Sequence, residues 1–269
     1  MNHSPRSYEP YWEVHGKNGP HILLLHGFLS SRAQWIPNIA SLSQTARLVI
    51  VELLGHGRSP APDRPDAYSP AGYISAFENI RKSLGISQWM LCGQSLGAGL
   101  TLRYALECPE RVTAQIFTNT TSAFREIHDM EETRKGTTAS AEAILQEGID
   151  GIRKLPIHPA NARRLRADVK AALVEDSKLI SPLGVANTMR YTFPQLSVRQ
   201  EIHKNTTPTL LISGRQEKRF TPFRNFAEAN MPHLHIVEFN GGHAVNIDAA
   251  DDFNGAAKDF IKKHLSATC

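Results

Sequence analysis

The stretch Leu91-Cys92-Gly93-Gln94-Ser95-Leu96-Gly97-Ala98-Gly99 narrows the folds open to this chain more than any other. Ile86 to Leu91 reads as a short apolar strand, and from Ala98 to Cys108 apolar residues recur at helical spacing. Ser95 stands at that junction with a glycine two places away on each side, the G-x-S-x-G pattern of a strand-turn-helix elbow that presents a nucleophile. In so tight a turn a side chain at position 93 or 97 would collide with backbone, and Ser95 itself is expected in strained φ/ψ space. The first N–H groups of the following helix, beginning with that of Leu96, then point at whatever Ser95 attacks, where an oxyanion would form. The plainer alternative is a glycine-rich turn with a surface serine. To exclude it, the chain must also supply a base, an acid and a second oxyanion donor.

The surroundings have the rhythm that such an elbow requires. Tyr8, Tyr11, Trp12 and Val14 mark an edge strand or hairpin, and His21 to Leu25 is a continuous apolar run, as in a strand buried on both faces. That run ends in His26-Gly27-Phe28-Leu29-Ser30-Ser31, where the backbone N–H of Phe28 is the candidate second oxyanion donor and His26 the residue expected to orient the loop. A loop capped by Ser30 or Ser31 is the plainer reading. A helix from about Ala33 to Leu42, a strand Leu48 to Val51, the turn Gly55-His56-Gly57-Arg58-Ser59 and a helix Pro70 to Leu84 lead back to the elbow strand. After the elbow helix, Val112 to Phe117 is a further strand, followed by Thr118-Asn119-Thr120-Thr121 without a carboxylate. Alternation of this kind predicts an α/β fold with a doubly wound, mostly parallel sheet that binds ligands at the carboxyl ends of its strands.

From Ser122 to His203 the rhythm stops and helical patterns dominate, at 141–148, 160–175 and 182–190, broken by Pro156, Pro159 and Pro182. The expected arrangement is a helical lid inserted after the sixth core strand, with residues 122–205 as cap and 1–121 and 206–269 as core. Phe124, Met130, Ile144, Ile149, Ile152, Leu155, Leu183, Met189, Tyr191 and Phe193 could line a pocket under it, although helix-to-helix packing is the default for most. Strands resume at Thr209 to Ser213 and His235 to Phe239, and a helix Ala250 to His264 closes the chain.

Two loops at those strand ends offer what Ser95 lacks. His243 follows Gly241-Gly242 and can take the serine proton during attack; Glu217, one strand earlier, can fix the imidazole tautomer and stabilise the cation that forms. Glu52 and Asp248 are the competing carboxylates, the first on another strand and the second too close to the histidine in sequence. With twelve histidines present, one near a glycine means little; four motifs at predicted strand ends, in the order serine, acid, histidine, mean more.

Composition sets outer bounds. The 269 residues, 41% hydrophobic, suit one large α/β domain or two small ones, with no apolar run long enough to span a bilayer. The amino terminus Met1 to Ser7 has no hydrophobic segment of a secretory kind, and Cys92, Cys108 and Cys269 have no metal spacing. A cytoplasmic protein with reduced cysteines, no metal and no cofactor is expected. The net charge of +4 is scattered, and the one basic cluster, Arg163, Arg164, Arg166 and Lys170, is followed at once by acidic residues. It therefore reads as a solvated helix face rather than a nucleic-acid patch; the expected partner is a small-molecule substrate, with no nucleic acid and no membrane, and a homodimer is open.

Over nearly its whole length the sequence resembles the α/β-hydrolase superfamily, least in the lid. His26-Gly27-Phe28 is similar to that family's oxyanion loop, Gly55 to Ser59 to its G-H-G-x-S turn, Gly93 to Gly97 to its elbow and Gly242-His243 to its terminal G-H; Glu217 departs from the commoner aspartate. The resemblance implies Ser95, Glu217 and His243 as catalytic residues and Phe28 and Leu96 as oxyanion donors. A serine argues against the branches whose nucleophile is aspartate, so hydrolysis of a carboxylic ester through an acyl-enzyme is the expected activity. Three alternatives stay open: a carbon–carbon bond hydrolase with the same triad, a menaquinone-pathway-type lyase, and a ligand receptor without turnover. The lyase family usually has an arginine directly after the elbow; here Gly99 and Leu100 stand there, with Arg103 one turn on.

Overall fold

A computed structural model describes residues 8–265, apart from the side chains of residues 127–131 and 133. Met1 to Ser7, Met130's side chain and Cys269 thus lie outside the described residues. Seven strands, β1 (Trp12–His15), β2 (His21–Leu25), β3 (Arg47–Val51), β4 (Trp89–Gly93), β5 (Val112–Phe117), β6 (Thr209–Gly214) and β7 (Leu234–Phe239), form one sheet. Their order is β1-β3-β2-β4-β5-β6-β7, parallel throughout except that β1 runs antiparallel to β3 on one edge.

Around the sheet run α1 (Ile36–Leu42), α2 (Pro70–Ser83), α3 (Leu96–Glu107), α4 (Ile127–Glu147), α5 (Ile149–Arg153), α6 (Ala167–Asp176), α7 (Pro182–Asn187), α8 (Thr221–Asn230), α9 (Val245–Asp248) and α10 (Ala250–Leu265). Helices cover both faces because the strand side chains alternate with period two and are apolar on both sides. Ile22 and Leu24, Leu48 and Ile50, and Met90 and Cys92 meet Trp35, Leu42 and the Phe253, Ala257 and Ile261 stripe of α10. Leu23 and Leu25, Val49 and Val51, and Trp89 and Leu91 face Tyr73, Phe77 and Ile80 of α2 and Leu96, Leu100 and Tyr104 of α3. Fully burying one such side chain stabilises the fold by about 1.5–3 kcal/mol.

The strand order reverses at β2, which has β3 on one side and β4 on the other. Leu25 pairs with Gly93 at the carboxyl ends of β2 and β4, so the loops carrying Phe28 and Ser95 leave the sheet side by side at the switch point.

The helical segment between β5 and β6 follows the fifth strand in chain order, not the sixth as expected, because the amino-terminal stretch makes one strand rather than a hairpin. Two helix bounds also differ. α4 is far longer than the expected 141–148, since its first turns, with Glu131-Glu132-Thr133-Arg134-Lys135-Gly136, have almost no apolar stripe to reveal them. Residues 160–166, expected as helix, are instead a 3₁₀ turn at Pro159–Asn161 and a loop into α6. Ala141, Ile144, Ile152, Ile180, Val185, Ala186 and Met189 of this segment pack together around Leu29 from the loop after β2. Asp176, at the end of α6, accepts a hydrogen bond from Ser31 Oγ at 2.6 Å and lies 3.5 Å from Arg58 Nη2, so the segment is tied to the sheet's carboxyl end.

Candidate active site

At the elbow, Ser95 has φ 53° and ψ −112°, a left-handed φ that L side chains rarely adopt. Its neighbours hold it there. Gln94 N–H donates to the Leu25 carbonyl at 3.0 Å, and Gly99 N–H closes the first turn of α3 onto the Ser95 carbonyl at 3.2 Å. A Cβ on Gly97 would lie 2.7 Å from the His26 carbonyl oxygen, which is why a side chain is excluded where helix and strand touch. Leu96 is the first residue of α3, where N–H groups have no acceptor within the helix.

The loop after β2 is braced by two histidines. Leu53 N–H donates to His26 Nε2 at 3.0 Å, so the ring proton is on Nδ1 and is donated to the Gly27 carbonyl at 2.7 Å. His56 likewise accepts from Leu29 N–H at 3.2 Å and donates to the Leu54 carbonyl at 3.0 Å. Burial pushes their pKa values down to about 3 and about 4, outweighing the carbonyl hydrogen bonds, so both stay neutral. The expectation that His26 orients this loop is met, and His56 does the same. Leu29 has φ 55°, held by the His56 bond and by its side chain among the helices between β5 and β6. Ser31 does cap the following turn, accepting from Ala33 N–H at 3.1 Å.

Glu217 and His243 meet. His243 Nδ1 lies 2.9 Å from both Glu217 oxygens, so it donates its proton there, which in the neutral ring makes Nε2 the accepting nitrogen. Burial would raise the Glu217 pKa; the His243 bond and charge, together with Asn119, outweigh that and hold it below its ordinary value. Glu52 and Asp248 do something else. Glu52 is buried and binds Arg58, through its backbone N–H at 2.6 Å and Nη1 at 3.0 Å, while Asp248 accepts the Gly242 N–H at 2.8 Å. The His243 loop is also tied to the elbow, since Gln94 Nε2 donates to the His243 carbonyl at 3.1 Å.

Sequence reasoning missed Asn119. It is fully buried at the end of β5, its Nδ2 donates to Glu217 Oε2 at 2.7 Å, and its Oδ1 accepts Gly214 N–H at 3.1 Å. Scanning this stretch for a carboxylate passed over a residue that clasps one.

Ser95 and His243 line one cavity of about 160 Å³, with Gly27, Phe28, Ser30, Gln34 and Gln94 on the sheet side. An engineered cavity of about that size takes a benzene ring. From the segment between β5 and β6 come Ile157, Pro159, Ala162, Leu165 and Leu173, none of them among the bulky residues singled out in the sequence. Most of those residues pack helix to helix or against the sheet instead, Ile144, Ile152 and Met189 among them. A larger groove of about 650 Å³ lies between Arg103 and Phe226, where Arg103 pairs with Glu201 at 2.8 Å and Arg199 with Glu126 at 3.0 Å. Arg103 is therefore turned away from Ser95.

Known proteins place the chain in context. Carboxylesterase YbfK of Bacillus subtilis (strain 168) is 26% identical over 91% of this chain and 81% of its own length. A protein of the same organism, provisionally named 2-succinyl-6-hydroxy-2,4-cyclohexadiene-1-carboxylate synthase, is 24% identical over 89% of each chain. The structure of MenH from S. aureus superposes with a TM-score of 0.82 at 18% identity, covering 94% of this chain and 98% of that one. The family model described as alpha/beta hydrolase fold matches residues 20–250. With the switch-point cavity, the elbow and that match together, this chain belongs to the alpha/beta hydrolase fold family.

Proposed function

We propose that this protein is a serine hydrolase that cleaves a small, neutral carboxylic ester through an acyl-enzyme. One observation supports this most: His243, bonded through Nδ1 to Glu217, shares a small cavity with a strained Ser95 at the switch point of the sheet. In this reading His243 Nε2 takes the Ser95 proton as Oγ attacks the ester carbonyl, and returns it to the departing alcohol oxygen. The backbone N–H groups of Phe28 and Leu96 receive the developing oxyanion, and Glu217 stabilises the imidazolium. Water then repeats the sequence on the acyl-enzyme. Residues 122–205 act as a lid, since five side chains from 157–173 wall the cavity and would exclude bulk water.

The similarity to a protein named as a carboxylate-forming synthase favours a lyase as the second reading. Against it, the cavity lining holds no arginine or lysine to meet a carboxylate, and Arg103 pairs elsewhere. No helix among the described residues is long and apolar enough to cross a membrane.

The test is turnover of nitrophenyl butyrate by the purified protein. Wild type is expected to hydrolyse it with burst kinetics or simple turnover, and Ser95→Ala to lose roughly 10⁴-fold or more in kcat. Undiminished turnover in Ser95→Ala would exclude the proposed nucleophile.

A further inference from the structure

Two polar groups in the cavity wall have no partner among the described residues. Gln34 is only 3% exposed, and its Oε1 accepts the Gly27 N–H at 3.0 Å, which fixes the oxygen end of the amide. Its Nε2 makes no hydrogen bond to a described residue and stays open to the cavity. Ser30 Oγ, in the same wall, is buried and equally without a partner. Buried polar groups are seldom left unpaired, and a site lined by such groups discriminates against ligands that cannot pair them.

The position of Gln34 says which part of a ligand it meets. Gly27 N–H binds Gln34, and a Cβ on Gly27 would run into the Gln94 side-chain oxygen and lie 3.3 Å from Ser95 Cβ. Gln34, Gly27, Gln94 and Ser95 thus share one stretch of the cavity wall, and an acyl group carried on Ser95 that lies along it comes within reach of the Gln34 amide. The leaving group is on the other side, because it must collect its proton from His243. Among the lining residues none is Asp, Glu, Lys or Arg, so the group that meets Gln34 is uncharged.

We infer that Gln34 is a specificity residue, whose Nε2 donates to an ether, hydroxyl or keto oxygen near the ester carbonyl in the acyl part of a neutral substrate. This rests on the serine-hydrolase reading above. The natural ester would then be an oxygenated short acyl ester rather than a plain alkyl one.

The test compares nitrophenyl methoxyacetate with nitrophenyl butyrate, which have the same chain length and differ in one ether oxygen. The methoxyacetate is intrinsically more reactive, so each enzymatic ratio of kcat/KM is divided by the ratio for hydroxide. Wild type is expected to favour the methoxyacetate by about tenfold beyond hydroxide, and Gln34→Glu or Gln34→Met to lower that preference about tenfold. Glu keeps the acceptor for Gly27 N–H and removes the donor, whereas Met removes both. A wild-type ratio equal to that of hydroxide, or a ratio unmoved by either variant, overturns the inference and leaves the hydrolase reading standing. Absence of wild-type turnover on both esters, with no phosphonate adduct on Ser95, would instead remove the reading beneath it.

Discussion

At residue scale the site depends on how a carboxylate is held. Glu217 is clasped from two sides, by His243 Nδ1 and by Asn119 Nδ2, whereas Glu52 is committed to Arg58 and the turn beside it. Glu217→Gln is therefore expected to lower kcat by about 10⁴-fold, as loss of the tautomer-setting acid does, and Glu52→Gln by less than about tenfold per folded molecule. Equal losses in nitrophenyl butyrate turnover would mean that the acid has been misassigned. Asn119→Asp makes a subtler change. It keeps the acceptor for Gly214 N–H but sets a second carboxylate against Glu217, which favours the protonated form and raises the pKa of the pair. The acid limb of the pH profile of kcat/KM is expected to move to higher pH, with KM changed less than kcat; an unmoved limb would reduce Asn119 to a structural bond. Ser95, Glu217 and His243 could be singled out in the sequence because each follows a strand in a loop or turn that contains glycine, and the structure brings Glu217 and His243 into contact. Asn119 could not be, because an amide has no chemistry of its own to announce, and only the packing of β5 beside β6 shows what it holds.

At the scale of elements, the close approach of α3 to the carboxyl end of β2 carries Ser95. The His26 carbonyl leaves no room for a Cβ on Gly97. Gly97→Ala is expected to cost about 1–3 kcal/mol in urea unfolding, the usual penalty for overpacking, and to lower turnover as the elbow shifts. Unchanged stability would show that the helix can ride outward freely. The five central strands were readable because each is a short apolar run ended by a turn, and their helices because the stripes of α2 and α10 are continuous. α4 was mostly hidden: the sequence of its early turns is mainly polar, with only Ile127 and Met130 to break it, and what stabilises its later turns is contact with Leu29 and α7, distant in sequence. The cavity wall from Ile157 to Leu173 was hidden for a similar reason, since these side chains become a wall only where the chain passes over the carboxyl ends of the central strands.

Over the whole molecule, the helices on one face of the sheet are tied to each other and to the strands by polar groups as well as apolar ones. Glu78 of α2 accepts from Arg81 Nε at 2.7 Å and Nη2 at 2.8 Å, and from the Tyr104 hydroxyl of α3, which in turn accepts from Trp89 Nε1 at 3.1 Å on β4. The Arg81 hydrogen bonds, against the opposing effect of burial and aided by Tyr104, hold the Glu78 pKa at about 2 rather than the ordinary 4.5. A carboxyl depressed in the folded state stabilises fully above 4.5 and loses that contribution as pH falls towards about 2. Glu78→Gln should therefore lower the urea midpoint at pH 7 and flatten its fall between those values; parallel curves for variant and wild type would contradict this. The same scale explains the position of the site. One wall of the cavity belongs to the sheet's switch point and the other to the helices after β5, so neither half of the chain could make it alone.

The most direct measurement is covalent. Protein treated with a small fluorophosphonate and digested should yield one modified peptide in the mass spectrum, with the added mass on Ser95; Ser95→Ala should take up none, and His243→Ala should react at least roughly 10²-fold more slowly. Reagent bound elsewhere, or uptake that persists without the Ser95 hydroxyl, would contradict the assignment of that serine as the nucleophile.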